Sequence, residues 1–540
     1  MMRLSSLTVI LTALSLSGNI IVSEAIGPRS ILPIVNRVIA PDGYRRSASL
    51  AGGTFPGPLI SATKSNDFSL TVVDRLVDPT MDLVTSIHWH GIFQRTTNYA
   101  DGGAFVNQCP IVPRESFLYR FNAGEQTGTY WYHSHYQAQY CDGVRGPLVI
   151  YDPNDPQARL YDVDNENTVI TLADWYHDVS AITSQNLTPQ FDSTLINGIG
   201  RYLGGPQVPL AVVNVLRNRR YRLRLVSISC DPAYKFSIDG HQLTVIEVDG
   251  TNVQPLVVDS LEIFAGQRYS VVLNANQPVG NYWIRALPTH FENQTFAGFT
   301  NVAILRYLGS RIQNPPSDPN RNIPQSVLPL KETNLHPLVP DPVPGKPFPG
   351  GADININLNV LLDLVPVLLQ ILSGVSNASD LLPKGSVYGL QGNKSVEISI
   401  PANAGAPGGP HPIHLHGHAF HVVRSAGNST YNYDNPVVRD VVSIGDSSVG
   451  DNVTIRFFTD NPGPWFLHCH IDWHLERRVV PFLETGLCLD FFHHTNALVI
   501  PRGFAVVFAE DVPEVPSRDI APADWQKLCP AYNNFANITG

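Results

Sequence analysis

Lysine is scarce in this 540-residue chain, and its 36 basic residues are outnumbered by 46 acidic ones, for a formal net charge of −10. An acidic surface repels phosphate backbones and anionic headgroups, which argues against nucleic acid and against a membrane surface as partners. Beyond the N-terminus no apolar run is long and clean enough to cross a bilayer. The nearest, 359–375, is interrupted by Asp363, Pro366 and Gln370. Cysteine is limited to six positions, Cys109, Cys141, Cys230, Cys469, Cys488 and Cys529. The zinc-hydrolase pattern His-Glu-x-x-His is absent. Abundant instead are 44 prolines and 41 glycines, the punctuation of a β-rich, loop-rich chain.

The N-terminus carries the one candidate targeting segment. Met1-Met2-Arg3 leads into a mostly apolar run to Val22, and Ser23-Glu24-Ala25 places small residues at −3 and −1 of a cleavage site. Residues 1–25 are therefore taken as a secretory signal, and a secreted, extracellular protein is expected. The run is short and broken by Ser, Gly and Asn, which tells against an uncleaved anchor. In that setting the seven Asn-x-Ser/Thr sequons, at Asn186, Asn293, Asn377, Asn393, Asn428, Asn452 and Asn537, are glycosylation candidates.

A chain this long forms two to four domains. From Ile34 onward, short apolar runs alternate with Gly/Pro/Asn/Asp turns. Phe68–Val73, Gly146–Tyr151, Tyr221–Val226 and Tyr269–Leu273 have strand character. The pattern predicts an all-β protein of stacked sandwiches. Asp152–Pro156 serves as a first linker, and Pro315–Pro319 with Pro337–Gly351 forms a looser connector. The expected units are 26–155, 156–325 and 326–540. The clearest helix candidate, Leu364–Ser373, is short. Asp162–Glu166 has the look of a calcium loop but lacks its glycine and distal glutamate, so a solvated turn is expected.

The chemistry is concentrated in histidine. Of 18 histidines, eleven fall in four clusters: His88-Trp-His90, His133-Ser-His135, His411-Pro-Ile-His414-Leu-His416-Gly-His418 and His468-Cys469-His470-Ile-Asp-Trp-His474. On a strand, alternate side chains point to opposite faces. His468 and His470 then face one side and Cys469 the other, on a strand that runs into a ligand loop. One His-x-His pair from each cluster supplies eight imidazoles, enough for a three-metal cluster. His411, Cys469 and His474 remain, with His418 left over. Two imidazoles and a thiolate make the trigonal blue-copper arrangement. Zinc is the alternative metal, but a zinc enzyme has no use for a cysteine wedged between the histidines of another site.

At these residues the chain resembles the multicopper oxidases, and most closely the fungal laccases, from Ile26-Gly-Pro28 to Cys529-Pro530. The resemblance implies three cupredoxin-like β-sandwich domains and four copper ions, one type 1, one type 2 and two type 3. His88 and His414 would be type 2 ligands. His90, His133 and His470 would hold one type 3 copper, and His135, His416 and His468 the other. His411, Cys469 and His474 would hold type 1. His418 matches a motif position that is not a ligand. Asp101 matches an acid that supplies protons near the cluster, and Asp231 one that accepts a phenol's proton. Thr289 and His290 stand where Asn-Phe is usual in the substrate pocket. The resemblance also implies disulfides Cys109–Cys529 and Cys141–Cys230, and it implies phenols or aromatic amines plus O2 as substrates for a monomer. Ferroxidase activity is the alternative within enzymes; a copper-binding glycoprotein without turnover is the alternative outside them.

One stretch departs from the family pattern. His474-Leu-Glu-Arg477 should pass through one small residue into Gly503-Phe504-Ala-Val-Val-Phe-Ala-Glu-Asp511, but Arg478–Arg502 intervene and carry the unpaired Cys488. Removing them restores the pattern and an even count of non-ligand cysteines. The segment is accordingly taken as a translated intron or an error of gene prediction, with a genuine loop insertion as rival. In the restored pattern Phe504 takes the non-coordinating axial position beside the type 1 copper; with the segment present, Val479 has that spacing, which puts the activity of the literal chain in question.

Overall fold

The computed structural model describes residues 25–186, 189–289, 301–319, 323–358, 371, 387–402, 410–446, 451–475 and 505–539. The described strands form six sheets, which in chain order make three pairs. The first pair draws on strands between Arg29 and Tyr151. The second, of seven and five strands, lies between Val169 and Tyr307. The third, two sheets of five, lies between Ile354 and Glu510. These are three cupredoxin-like sandwiches, as the family resemblance implies.

The outer strands alternate as a half-buried sheet must. In Asp67–Arg75, Phe68, Leu70 and Val72 are buried while their neighbours are partly open. The strands that carry the histidine motifs do not alternate. Ile87–His90, Gly128–Ser134 and Gly463–Cys469 are buried at every position. Their imidazoles are thus enclosed by protein on all sides, where a polar atom without a partner is costly.

Several local readings change. The 337–351 connector has no strand, yet it is not loose: the Arg456 guanidinium donates to the carbonyl oxygens of Lys346 at 2.7 Å and Phe348 at 2.6 Å. Asp164 of the supposed calcium loop pairs with Arg224 at 2.6 Å, and Asn165 caps the turn Glu166–Thr168, so this is a structural turn. A twelve-residue helix, Leu528–Thr539, was not foreseen. Its Pro530 and three asparagines are weak helix formers. It is anchored by tertiary means, through Trp525 and Leu528 in the core of the first sandwich and a Cys109–Cys529 disulfide.

The stretch 476–504 lies outside the described residues, and with it Arg478–Arg502, Cys488 and Phe504. So do residues 1–24, Asn293, Asn377, His290 and, apart from Ile371, the helix candidate Leu364–Ser373. The helical turn Asp472–Leu475 starts just past Cys469, and the strand Ala505–Glu510 begins opposite His468. Both ends meet at the same end of the Gly463–Cys469 strand. Among the described residues no helix is long and apolar enough to cross a membrane.

Candidate metal centre

Two strand pairings assemble the histidines. Ile87–His90 lies antiparallel to Gly128–Ser134 with His88 opposite His133, and Pro412–Leu415 lies antiparallel to Gly463–Cys469 with His414 opposite His468. Beyond the ladder, His416 N–H donates to Phe466 O and His470 N–H to Pro412 O, which extends the register to the outer rings. The first and third sandwiches each contribute four rings. Ligand atoms of His90, His133 and His470 lie within 4.8 Å of one another, as do those of His135, His416 and His468, and those of His88, His90 and His414. On the opposite face of the same strand, His411, Cys469 and His474 form a separate group. Cys469 Sγ is 3.5 Å from His411 Nδ1 and 3.8 Å from His474 Nδ1, and those two nitrogens are 3.0 Å apart. His474 sits on the Asp472–Leu475 helical turn rather than a loop, and it is the one member of its group that is not fully buried.

The hydrogen bonds reveal what the rings are prepared for. His88 Nδ1 donates to Asp101 O at 2.8 Å, His133 Nδ1 to Ser134 O at 2.9 Å and His414 Nδ1 to Asp440 O at 2.8 Å. A carbonyl cannot donate, so Nδ1 holds the proton and Nε2 is left with a bare lone pair. The Nε2 atoms of His88, His133, His135 and His414 are buried without a hydrogen-bond partner. Burial, and then neighbouring imidazoles, hold the His133, His414, His416 and His468 rings well below the usual histidine range, and His135 and His470 at about 3. Neutral rings with unshared Nε2 lone pairs have the protonation and tautomer that metal ligands need. His416 Nε2 and His468 Nε2 lie 3.1 Å apart, a repulsive arrangement of lone pairs that a bridging cation relieves. At the other site, burial pushes the Cys469 thiol well up. A bound metal would displace the thiol proton to solvent, and a soft thiolate with imidazoles selects copper.

Known proteins agree with this chemistry. Multicopper oxidase family models match residues 34–155, 166–310 and 363–484. The chain belongs to the multicopper oxidases. The Laccase-2 of Trametes villosa is 55% identical over 530 residues, covering 95% of each chain. The laccase of Pycnoporus cinnabarinus is 53% identical over 547 residues, covering 98% of each. Among solved structures, the laccase from Botrytis aclada aligns with a TM-score of 0.77 at 29% identity, over 96% of this chain and 93% of that one. Fet3p, a multicopper oxidase that functions in iron import, aligns with a TM-score of 0.75 at 23% identity, covering 94% of this chain and 95% of that one, a likeness of fold alone.

Around its histidines this multicopper oxidase places the two acids singled out in the sequence, and others that were not. Asp101 Oδ2 accepts from His416 Nδ1 at 2.7 Å, and Oδ1 lies 3.3 Å from His88 Nδ1. Asp231 follows Cys230, whose carbonyl accepts from Asp472 N–H just before His474. Burial, and then the Asp174 carboxylate, push the Asp231 carboxyl up to about 8. Thr289 donates its hydroxyl to Glu262 at 2.7 Å. Both implied disulfides are formed, and Cys469 is the free cysteine among the described residues. His418 stands apart, 3.0 Å from Glu510 Oε2.

Asp440 was missed. His90 is turned the other way from its neighbours, with Nδ1 3.2 Å from His470 Nε2, and its Nε2 lies 3.4 Å from Asp440 Oδ1. Asp440 is in turn gripped by both terminal nitrogens of Arg268, at 2.6 and 2.7 Å. The second sandwich, which contributes no histidine, thereby braces the cluster. It also packs Gly266 against it: a Cβ there would lie 2.9 Å from His470 Cδ2 and 3.1 Å from His90 Cε1, at a φ of +83°. Gly266→Ala is expected to destabilise the fold by roughly 1–3 kcal/mol and to weaken copper retention. Denaturant unfolding with copper analysis checks this; an unchanged midpoint and full copper content would contradict it.

Proposed function

We propose that the chain acts as a secreted, extracellular laccase: a monomer of domains 26–155, 156–325 and 326–540, freed of residues 1–25. Four copper ions, one type 1, one type 2 and two type 3, would supply one-electron oxidation of phenols or aromatic amines and four-electron reduction of O2 to water. His411, Cys469 and His474 would hold type 1. His88 and His414 would hold type 2, with His90, His133 and His470 on one type 3 ion and His135, His416 and His468 on the other. One observation carries this reading: Cys469 turns its sulfur into one site while the residues bonded to it on either side, His468 and His470, turn their rings into the other. A single peptide bond on each side of Cys469 joins the two centres.

The protein's residues then divide the work. His474, partly open, is the edge at which an aromatic substrate can approach. The enclosed strands keep water from the eight rings and fix their geometry. Asp101, hydrogen-bonded to His416, would hold and release protons for the reduction of O2 to water. Of the sequons, Asn186, Asn393 and Asn537 are exposed and available for glycans, while Asn428 and Asn452 are half-buried.

Asp231 is assigned the phenolic proton. It accepts only when ionised, so kcat/KM for a phenol should rise with pH through its pKa. Burial, and then the Asp174 carboxylate, raise that value to about 8, and positive charge held beside Cys469 would draw it down. Asp231→Asn is expected to remove this rising limb and to lower kcat/KM for phenols on the order of 10²-fold. An aromatic donor with no ionisable proton should be little affected. Parallel pH profiles for the two substrate types decide it; an unaltered phenol profile in the variant would end the assignment.

A further inference from the structure

The turn that carries Asp101 does not cap itself. Asn98–Ala100 is a buried 3-10 turn, and Thr97 in front of it makes no side-chain capping bond. Thr97 instead donates its hydroxyl to Gln94 at 2.9 Å. The leading N–H groups of such a turn need an acceptor, since no water reaches them. It arrives from a residue 420 positions away: Tyr99 N–H donates to Asp519 Oδ2 at 3.2 Å. Asp519 is 2% exposed, and its second carboxylate oxygen is buried with no hydrogen-bond partner. Burial pushes its carboxyl up to about 7, against the opposing pull of the Tyr99 and Asn98 N–H groups. A carboxylate kept in so dry a place is serving those amides, and negative charge at the start of a turn is favourable.

The same C-terminal segment grips the loop twice more. Trp525 Nε1–H donates to Asn107 O at 3.0 Å, and Cys529 is bonded to Cys109. On its other side the loop is tied to the strand that ends in Cys469, because the Asn98 and Asn107 side-chain amides both donate to Pro464 O, at 3.0 and 3.1 Å. Asp101 follows directly, its N–H on Asn98 O at 3.0 Å. The loop is therefore held between the Cys469 strand and the C-terminal segment, with the Asp101 carboxylate reaching His88 and His416.

We propose that Asp519 is a positioning residue for oxygen reduction: it caps the Asn98–Ala100 turn from the C-terminal segment and thereby sets where the Asp101 carboxylate meets the histidines. The activity readout rests on the laccase reading of the cluster; the amide readout does not. The test uses the full-length, copper-loaded protein and its Asp519→Ala, Asp519→Asn and Trp525→Phe variants. Hydrogen exchange is followed over 98–107, and steady-state rates are limited in turn by O2 and by a phenol.

Asp519→Ala should exchange the Asn98 and Tyr99 amides about tenfold faster, the ratio a lost cap produces. It should also slow the O2-limited rate several-fold while leaving phenol-limited kcat/KM and the visible absorption of the thiolate site unchanged. Asp519→Asn, which keeps an acceptor oxygen, should preserve protection and rate. Trp525→Phe removes the Nε1–H donor but keeps an aromatic ring and the disulfide, and should shift exchange and O2-limited rate in the same direction by less; it carries the test if the alanine variant does not accumulate. Unchanged exchange in the alanine variant, or in Trp525→Phe where that variant carries the test, overturns the proposal. So does a loss shared equally by the phenol and O2 halves. If the unaltered protein takes up no O2, the laccase reading fails while the exchange data still judge the cap.

Discussion

Cys469→Ser is expected to abolish the intense visible absorption of the protein and to lower phenol-driven oxygen uptake by more than about 100-fold, beyond the 10–100-fold typical of changes one layer out from a metal. The sulfur lies 3.5 Å from His411 Nδ1 and 3.8 Å from His474 Nδ1. A serine hydroxyl is a hard donor that neither yields its proton readily nor makes a covalent bond to copper of comparable strength. The buried rings of the other cluster make no hydrogen bond to the Cys469 sulfur, and the His468 ring bonds the Cys469 carbonyl, which serine keeps, so they should keep their copper. The variant is thus expected to be colourless and nearly inactive but still to hold three of four ions. Absorption, copper content and oxygen uptake on one sample check it. Uptake near the unaltered rate would show that electrons enter by another route.

The second large effect concerns Arg478–Arg502. Excising it is expected to raise stability by roughly 1.5 kcal/mol, the closure entropy of shortening a connection from about 30 residues to about 5. The flanks allow this, since Asp472–Leu475 and Ala505–Glu510 meet at one end of the Gly463–Cys469 strand. Four of the five cysteines other than Cys469 are paired as Cys109–Cys529 and Cys141–Cys230, so excision also removes Cys488, the one left over. We further propose that it brings Phe504 to the apolar axial position beside His411, Cys469 and His474, where lack of a donor favours reduced copper. Turnover of phenols should then rise roughly 10–100-fold, in the range of changes beside a metal ligand. Denaturant unfolding and steady-state rates of the two chains test this, and the intact mass of the deglycosylated secreted protein tells which chain is made. Equal activity in both would identify the segment as a tolerated loop.

What could be read from the sequence was local. His-x-His on a strand declares two rings on one face, and His468-Cys469-His470 declares two sites back to back, because the strand period is two. Backbone pairing then brings His88 to His133 and His414 to His468 with nothing more needed. The pairing of Cys109 with Cys529 could not come from spacing and rested on resemblance to a family. What escaped was long-range and without a local signature. Asp440 meets Arg268 across 172 positions, and nothing around either residue marks it as bracing His90. Asp519 reads as an ordinary acid in Ser-Arg-Asp-Ile, and its task appears only when the last segment folds back on the first sandwich. The Leu528–Thr539 helix escaped for the same reason: its residues are indifferent helix formers, and Cys529 and Leu528 hold it in place.

Copper stoichiometry tests the central claim most directly. Elemental analysis of the purified, copper-loaded protein should give four copper ions per chain and no zinc, with the strong visible band of a copper–thiolate bond accounting for one of the four. A single copper per chain, or four ions without that band, would contradict an arrangement in which Cys469 joins a one-metal site to a three-metal cluster.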